Sequence, residues 1–271
     1  MVKLQRLLLL IARAAGALLF LASASVAQNN SGEEVDLALV IAVDISYSMD
    51  VEEQRLQKQG YVEALNSPEV IKAIQQGMIG KIAITYFEWA NSFDQRMVVP
   101  WTIIDGPASA KAVTDIIEAT PIRRAQRTSV SGAINFGHKL MTEIPFRPLR
   151  KVIDVSGDGP NNSGDPVLVA RDRALQAGIV INGLPILLKR GNAGWGDISN
   201  LDLYFQDCVV GGPGSFMIPI TTREQFVSAT RAKIIREVAD LGMSDVQLVQ
   251  QGSGKSDCMI GERQFRERWG N

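Results

Sequence analysis

The chain has 271 residues, of which 46% are hydrophobic and 21% are charged, and its formal net charge at pH 7 is −1. This length and apolar content are typical of one large globular domain or two small ones, and they exclude an intrinsically disordered chain. We favour one domain. A chain with this near-neutral charge has no excess of basic residues for a nucleic-acid-binding surface, so we predict no nucleic-acid partner.

Residues 1–27 have the three parts of a secretory signal peptide. Lys3 and Arg6 form a basic start, an apolar stretch follows, and residues 25–27 (Ser-Val-Ala) are a small-x-small cleavage site. Arg13 interrupts the apolar stretch, which favours cleavage over the alternative of a membrane-spanning helix. We therefore predict that this segment is removed, that no transmembrane span remains, and that the protein is exported to the periplasm or cell surface of a bacterium.

The two cysteines, Cys208 and Cys258, both lie in the last quarter of the chain. In an oxidising compartment they predict one disulfide, which would close a loop of about 50 residues and contribute roughly 3–4 kcal/mol by the chain-entropy model. Two buried free thiols are the alternative. We do not expect a zinc site, because two cysteines and the only histidine, His138, cannot supply the usual set of four ligands.

Strand and helix signals alternate along the chain after a polar segment, residues 28–34, which we predict to be a disordered lead-in. Apolar runs and alternating patterns predict strands at 35–43, 81–87, 96–104, 151–155, 179–187 and 216–220. Helical spacing with start and stop signals predicts helices at 50–76 with a break near Pro68, and at 109–119, 128–144, 165–177, 198–205 and 222–241, the last capped by Thr222. The domain would then occupy residues 35–241, and a disulfide would tie back residues 242–271 as a C-terminal extension.

This order of elements predicts an α/β fold, Rossmann-like and doubly wound, with a mostly parallel sheet of about six strands and helices on both faces. The short connection at 89–94 and Pro100 in the third strand predict one antiparallel edge strand. Ligands of such sheets bind beyond the carboxyl ends of the strands, where the strand order reverses.

Side-chain oxygens follow the first and the fourth predicted strands. Asp44, Ser46 and Ser48 have the spacing i, i+2, i+4, so an extended chain would project all three to one side. Asp158 lies in a Ser-Gly-Asp-Gly turn after the fourth strand, and would meet them if the two strands are neighbours. Carboxylate and hydroxyl oxygens suit Mg²⁺ or Mn²⁺. Helix capping by Asp44 and ordinary turn chemistry at Asp158 are the alternatives.

With Thr128 at the start of a later helix, these residues resemble the metal-ion-dependent adhesion site of von Willebrand factor type A domains. The resemblance covers roughly residues 35–240 and is strongest to a bacterial exported branch of unknown function. It implies that Ser46, Ser48 and Thr128 ligate the ion through hydroxyls, while Asp44 and Asp158 act directly or through water.

The same resemblance implies Mg²⁺ or Mn²⁺ as the cofactor, with Ca²⁺ a less expected ion. One coordination position would take a carboxylate from a partner protein. Many relatives carry glycine where Arg127 stands, which makes Ser129 a competing ligand. Tyr47 and Met49 could shape the contact surface. Asn161 and Asn162 could hydrogen-bond the metal loop, but we interpret them as simple turn residues.

Signatures of catalysis are incomplete, so we predict that the protein is not an enzyme. An aspartyl-phosphate mechanism needs a second carboxylate where Ser46 stands, and His138 is the only imidazole for a catalytic triad. Residues 252–256 resemble a phosphate-binding loop only superficially. We predict an exported, divalent-metal-dependent, adhesion-type binding module. The alternatives are a Mg²⁺-dependent enzyme or accessory subunit for a small phosphorylated or carboxylated ligand, and a structural domain whose metal only braces the loops.

Overall fold

The computed structural model of the protein describes residues 32–188, 198–239 and 256–270. The predicted signal peptide, most of the lead-in and the sequence resembling a phosphate-binding loop lie wholly or largely outside the described residues. Within the described ranges, no helix is both long enough and apolar enough to cross a membrane.

Five strands form one mixed sheet. They are β1 (Glu34–Asp44), β2 (Ile82–Trp89), β3 (Gln95–Ile104), β4 (Arg147–Gly157) and β5 (Val180–Pro185). Their spatial order is β3-β2-β1-β4-β5, and only β2 and β3 pair antiparallel. The predicted parallel sheet with one antiparallel edge strand is therefore confirmed.

The central strand β1 is buried on both faces, as its uninterrupted apolar run predicts. Ten of its 11 residues are buried. Leu37, Leu39 and Ile41 belong to one hydrophobic cluster, whereas Ala38 and Val40 belong to a second cluster on the other face. The sheet thus separates two apolar layers, and each layer is covered by its own helices.

The described residues form eight α-helices. One layer is covered by α1 (Val51–Asn66), α2 (Pro68–Gln75), α3 (Pro107–Ala119) and α7 (Gln225–Val238). The other layer is covered by α4 (Val130–Thr142), α5 (Val167–Gln176) and the short α6 (Leu201–Tyr204), which continues as a π-helical turn (Phe205–Val209); α8 (Ile260–Trp269) follows near the C-terminus.

Two helix ends show how local chemistry sets the boundaries. The break predicted at Pro68 is present, because Ser67 ends α1 and its hydroxyl accepts the Val70 N–H at the start of α2. The predicted cap at Thr222 is wrong. Helix α7 begins three residues later, and the Gln225 side chain accepts the N–H of Thr222.

The predicted sixth strand, residues 216–220, is not a regular strand. It makes only isolated parallel bridges to the β5 side of the sheet, Gly183 with Met217 and Ile186 with Ile220. Pro185 lies between these bridges and has no N–H to donate, so the ladder of hydrogen bonds is interrupted there. The sheet consequently has five strands instead of about six.

The C-terminal extension is joined to the domain by a disulfide between Cys208 and Cys258, whose Cα atoms are 5.5 Å apart. Helix α8 follows the second cysteine directly. Its Gly261 packs so closely on the backbone of Asn161 that a Cβ there would lie 2.1 Å from the Asn161 carbonyl oxygen. The extension therefore lies against the loop that follows β4.

A buried ionic cluster fastens α7 to the sheet. Lys233 is fully buried and forms ion pairs with Asp154 on β4, at 2.6 Å, and with Glu237 one turn later. The Asn182 amide also donates to Glu237, at 3.3 Å. Two carboxylates face one ammonium, so the cluster would carry one excess negative charge if both carboxylates were ionised. Burial, together with repulsion from Asp154, raises the pKa of Glu237 to about 7.

This raised pKa makes stability depend on pH. The folded protein retains a proton on Glu237 that the unfolded chain releases near pH 4.5. The contribution of Glu237 to the free energy of unfolding is therefore complete below pH 4.5 and is lost as pH rises through about 7. We expect Glu237→Gln to remove about 3 kcal/mol of the decline in unfolding free energy between pH 5 and 8. Urea denaturation of both proteins at each pH measures this difference, and parallel pH profiles would contradict it.

Candidate metal centre

The candidate site lies where the strand order reverses, because β1 and β4 are neighbours in the sheet. Both strands run parallel, with Val43 opposite Ser156, so their carboxyl ends lie at the same edge. The loops that follow these two ends carry Asp44 and Asp158. This is the arrangement in which open α/β sheets bind ligands.

A chain of hydrogen bonds connects the predicted oxygens of these two loops. The Ser46 N–H donates to Asp44 Oδ1 at 2.7 Å, and the hydroxyls of Ser46 and Ser48 are 2.6 Å apart. The Ser48 hydroxyl donates to Asp158 Oδ1, also at 2.6 Å. Four of the five predicted metal-ligating residues are therefore linked in one chain of hydrogen bonds.

Thr128, the fifth residue, lies beside them because the segment that precedes it pairs with the loop after β1. Ala125 donates to the Ile45 carbonyl at 3.0 Å and accepts the Tyr47 N–H at 2.8 Å, which fastens the segment before α4 to the loop after β1. A Cβ on Gly159 would lie 3.8 Å from Thr128 Oγ1, so this hydroxyl is next to the Asp158 loop. Three segments of the chain thus converge at one rim of the sheet.

Ser129 has a different role from Thr128. It is the N-cap of α4: its hydroxyl oxygen accepts the Gly132 N–H at 3.1 Å and the hydroxyl donates to the Ser163 carbonyl at 2.7 Å. Because both functions of the hydroxyl are used, the geometry favours Thr128 over Ser129 as the ligand. Arg127 has φ +71°, the left-handed conformation that glycine adopts without strain.

The two asparagines after Asp158 do more than form a turn. Asn162 Oδ1 accepts the Thr128 N–H and Asn161 Oδ1 accepts the Ser131 N–H, each at 2.9 Å. Asn162 N–H also donates to the Thr128 carbonyl at 2.8 Å. The interpretation of both asparagines as simple turn residues is therefore incomplete, because asparagines after an Asp-Gly-Pro turn give no signal of which distant backbone groups they bind.

The electrostatics of the site favour a bound cation. Burial, followed by repulsion from Asp158, raises the pKa of Asp44 to about 8. Asp44 is completely buried, and its Oδ2 has no hydrogen-bond partner among the described residues. A buried carboxylate oxygen without a donor is costly unless a cation compensates it. The residues therefore fit a divalent ion.

The donor set also limits which ion fits. Two carboxylates and three hydroxyls form a hard oxygen site, which suits Mg²⁺ or Mn²⁺ with water completing the octahedron. The described part of the chain contains no group of three or more His, Cys, Asp or Glu side chains arranged to hold a metal. Any ion at this rim would therefore depend on the hydroxyl groups.

Met49, expected at the contact surface, is instead fully buried in the hydrophobic core, whereas Tyr47 is 54% exposed. The side chain of Ser48, between them, is only partly buried. The site therefore opens to solvent beside Tyr47 and Ser48.

Replacement of Asp44 tests the electrostatic account. With EDTA present at pH 7, we expect Asp44→Asn to raise the unfolding free energy by on the order of 4 kcal/mol, because Asp44 with its raised pKa must take up a proton on folding, whereas the amide keeps the Ser46 hydrogen bond without one. The same variant should lose stabilisation by Mg²⁺, which for the natural protein is about 2.7 kcal/mol at 100 times the dissociation constant. Thermal and urea denaturation with and without Mg²⁺ measure both effects; equal Mg²⁺ stabilisation of the two proteins would refute the assignment.

Thr128 and Ser129 provide a matched pair of variants. We expect Thr128→Ala to weaken Mn²⁺ binding with little loss of stability, whereas Ser129→Ala should cost about 1 kcal/mol of stability as a lost helix cap. Isothermal titration of Mn²⁺ and urea denaturation separate the two roles. Weaker Mn²⁺ binding by Ser129→Ala alone would reverse the assignment.

Comparison with known proteins places the chain by sequence. Residues 34–242 match the family described as "Protein of unknown function (DUF1194)". No curated protein matches the chain.

Solved structures with low sequence identity share the fold. Proximal thread matrix protein 1 from the mussel byssus, with a zinc-occupied MIDAS motif, has a TM-score of 0.56 at 12% identity over 77% of this chain and 49% of its own. The pilus adhesin SpaC from Lactobacillus rhamnosus GG has a TM-score of 0.58 at 10% identity, over 76% of this chain and 31% of its own. The von Willebrand factor type A protein from Catenulispora acidiphila has a TM-score of 0.51 at 15% identity, over 75% and 43%.

This chain therefore spans less than half of each of these proteins. The chain belongs to the family described as "Protein of unknown function (DUF1194)" and has the fold of a von Willebrand factor type A domain.

Proposed function

We propose that the protein is an exported protein-binding module whose bound Mg²⁺ or Mn²⁺ bridges to a carboxylate of a partner protein. The observation that carries this proposal is the convergence of Asp44, Ser48 and Asp158 at a rim of the sheet that opens to solvent beside Ser48, with a buried carboxylate oxygen that lacks a donor among the described residues. Ser46, Ser48 and Thr128 would hold the ion with their hydroxyls, and Asp44 and Asp158 would neutralise it directly or through water.

The low formal charge of the site explains why a partner's carboxylate would bind strongly. Two carboxylates offset the charge of a divalent ion, but the three hydroxyls are neutral and donate little electron density. The ion therefore retains attraction for another anionic oxygen, provided that one coordination position is left to the partner. A carboxylate from a partner side chain meets this requirement.

A binding role is favoured over a catalytic role by the use of the polar groups. Both carboxylates at the site are assigned to the ion, and the hydroxyls of Ser46 and Ser48 already share hydrogen bonds with each other and with Asp158. None of these groups is left to act as a general base on a bound substrate. One structural neighbour is a pilus adhesin and another has a zinc-occupied MIDAS motif, and both agree with a metal-dependent contact.

The disulfide agrees with export, since such bonds persist in oxidising compartments. We propose that residues 1–27 direct the chain out of the cytoplasm and are removed, which places the mature module in the periplasm or on the cell surface.

Water-proton relaxation of the Mn²⁺-loaded protein tests whether the ion accepts an external carboxylate. We expect a peptide with one central aspartate to lower the relaxation enhancement, because the carboxylate displaces exchangeable water from the ion. The same peptide with asparagine at its centre is the ligand control. Thr128→Ala should abolish the response, whereas Thr102→Ala, at a half-buried position on β3, should retain it.

Two outcomes would refute the proposal. Unchanged relaxation with the aspartate peptide would mean that the ion only braces the loops. Metal-dependent turnover of p-nitrophenyl phosphate or p-nitrophenyl acetate, lost in Thr128→Ala, would instead identify an enzyme.

A further inference from the structure

Two exposed arginines border the candidate metal centre on separate segments. Arg124 donates to the carbonyl of Tyr47 at 2.6 Å, and its guanidinium lies 5.2 Å from the centre of the Tyr47 ring. Tyr47 stands between the hydroxyls of Ser46 and Ser48 in the sequence. Arg124 is therefore fixed to the loop that supplies two of the assigned ligands.

The second arginine, Arg127, immediately precedes Thr128. Its guanidinium lies over the ring of Phe265 on α8, 4.0 Å from the ring centre. Helix α8 is itself held at this face by the disulfide and by a hydrogen bond of 2.7 Å between Asn161 and Glu262. The left-handed backbone at Arg127 would be unstrained with glycine, so the arginine side chain occupies a position that the backbone does not favour.

Charge pairing distinguishes these two arginines from their neighbour Arg123. The Arg123 guanidinium forms an ion pair of 2.7 Å with Asp94, on the turn between β2 and β3. Among the ion pairs formed between described residues, none involves Arg124 or Arg127. Both side chains are exposed. They add two positive charges around a centre that a divalent ion would leave close to neutral.

We infer that the partner segment carries acidic side chains on both sides of its metal-binding carboxylate, and that Arg124 and Arg127 pair with them. This inference rests on the proposed function and adds to it the chemistry of the partner. Guanidinium groups suit the task because their planar donors match a carboxylate in a bidentate geometry. The contacts with Tyr47 and Phe265 would hold each guanidinium in place before the partner arrives, which reduces the loss of side-chain entropy on binding.

The size of the effect follows from the exposure of the two side chains. Exposed ion pairs are weak and are screened by salt. We therefore expect each arginine to strengthen binding of an acidic segment by about two- to fivefold at low salt, and by less at 0.5 M NaCl.

Three labelled peptides test the inference, each with one central aspartate flanked on both sides by two glutamates, two glutamines or two lysines. Fluorescence anisotropy with Mn²⁺ present gives their affinities for the mature chain. We expect the glutamate peptide to bind most tightly and the lysine peptide most weakly. The double variant Arg124→Gln with Arg127→Gly should lose this preference and keep its affinity for Mn²⁺; glycine suits the left-handed backbone.

Arg147→Gln is the matched control. Arg147 is an exposed arginine at the start of β4, at the opposite edge of the sheet from the metal centre. This variant loses one positive charge, as the single variant Arg124→Gln does. It should keep the full preference for the glutamate peptide, which Arg124→Gln weakens, and this comparison excludes a general effect of net charge.

The possible failures are distinguishable. If the peptides bind only with Mn²⁺ but the glutamate and glutamine peptides bind equally, the inference is wrong and the proposed function survives. If the double variant keeps the preference for the glutamate peptide, that preference comes from the metal alone, and the inference is wrong. If no peptide shows Mn²⁺-dependent binding, the proposed function fails and the inference fails with it.

Discussion

Parallel pairing of β1 with β4 is the constraint on which the candidate site depends. It brings two carboxylates, Asp44 and Asp158, to the same edge of the sheet, although they are 114 positions apart in the sequence. The sheet core supplies the rigidity for this approach, since β1 is buried on both faces. Repulsion between the two acids is then an intrinsic property of the fold without metal, and a cation would relieve it.

Much of this arrangement could be predicted from the sequence, because it follows from strong local patterns. The long apolar run that ends at Asp44 indicated a central strand, and the short connection before β3 indicated an antiparallel edge. The pattern Asp-x-Ser-x-Ser and the later Thr128 and Asp158 indicated which loops would meet. Each of these signals depends on residue types close together in the sequence, or on a family resemblance that orders them.

The remainder depends on contacts that no local pattern specifies. The ion pair of Lys233 with Asp154 joins a helix to a strand nearly 80 residues away, although the sequence of α7 is that of an ordinary amphipathic helix. The interruption of the predicted sixth strand could be predicted only by knowing that Pro185 would lie opposite it. Likewise, the roles of Thr128 and Ser129 differ only because one hydroxyl is used by the backbone of α4 and of the neighbouring loop.

The disulfide has a consequence for when the metal-bearing face is complete. Cys258 precedes α8 by two residues, and α8 carries Phe265, on which the Arg127 side chain rests. In a reducing environment this helix loses its covalent tether, and only non-covalent contacts keep it beside the Asp158 loop. Oxidation of the two cysteines would therefore fasten the helix on which the Arg127 side chain rests, and reduction would loosen it.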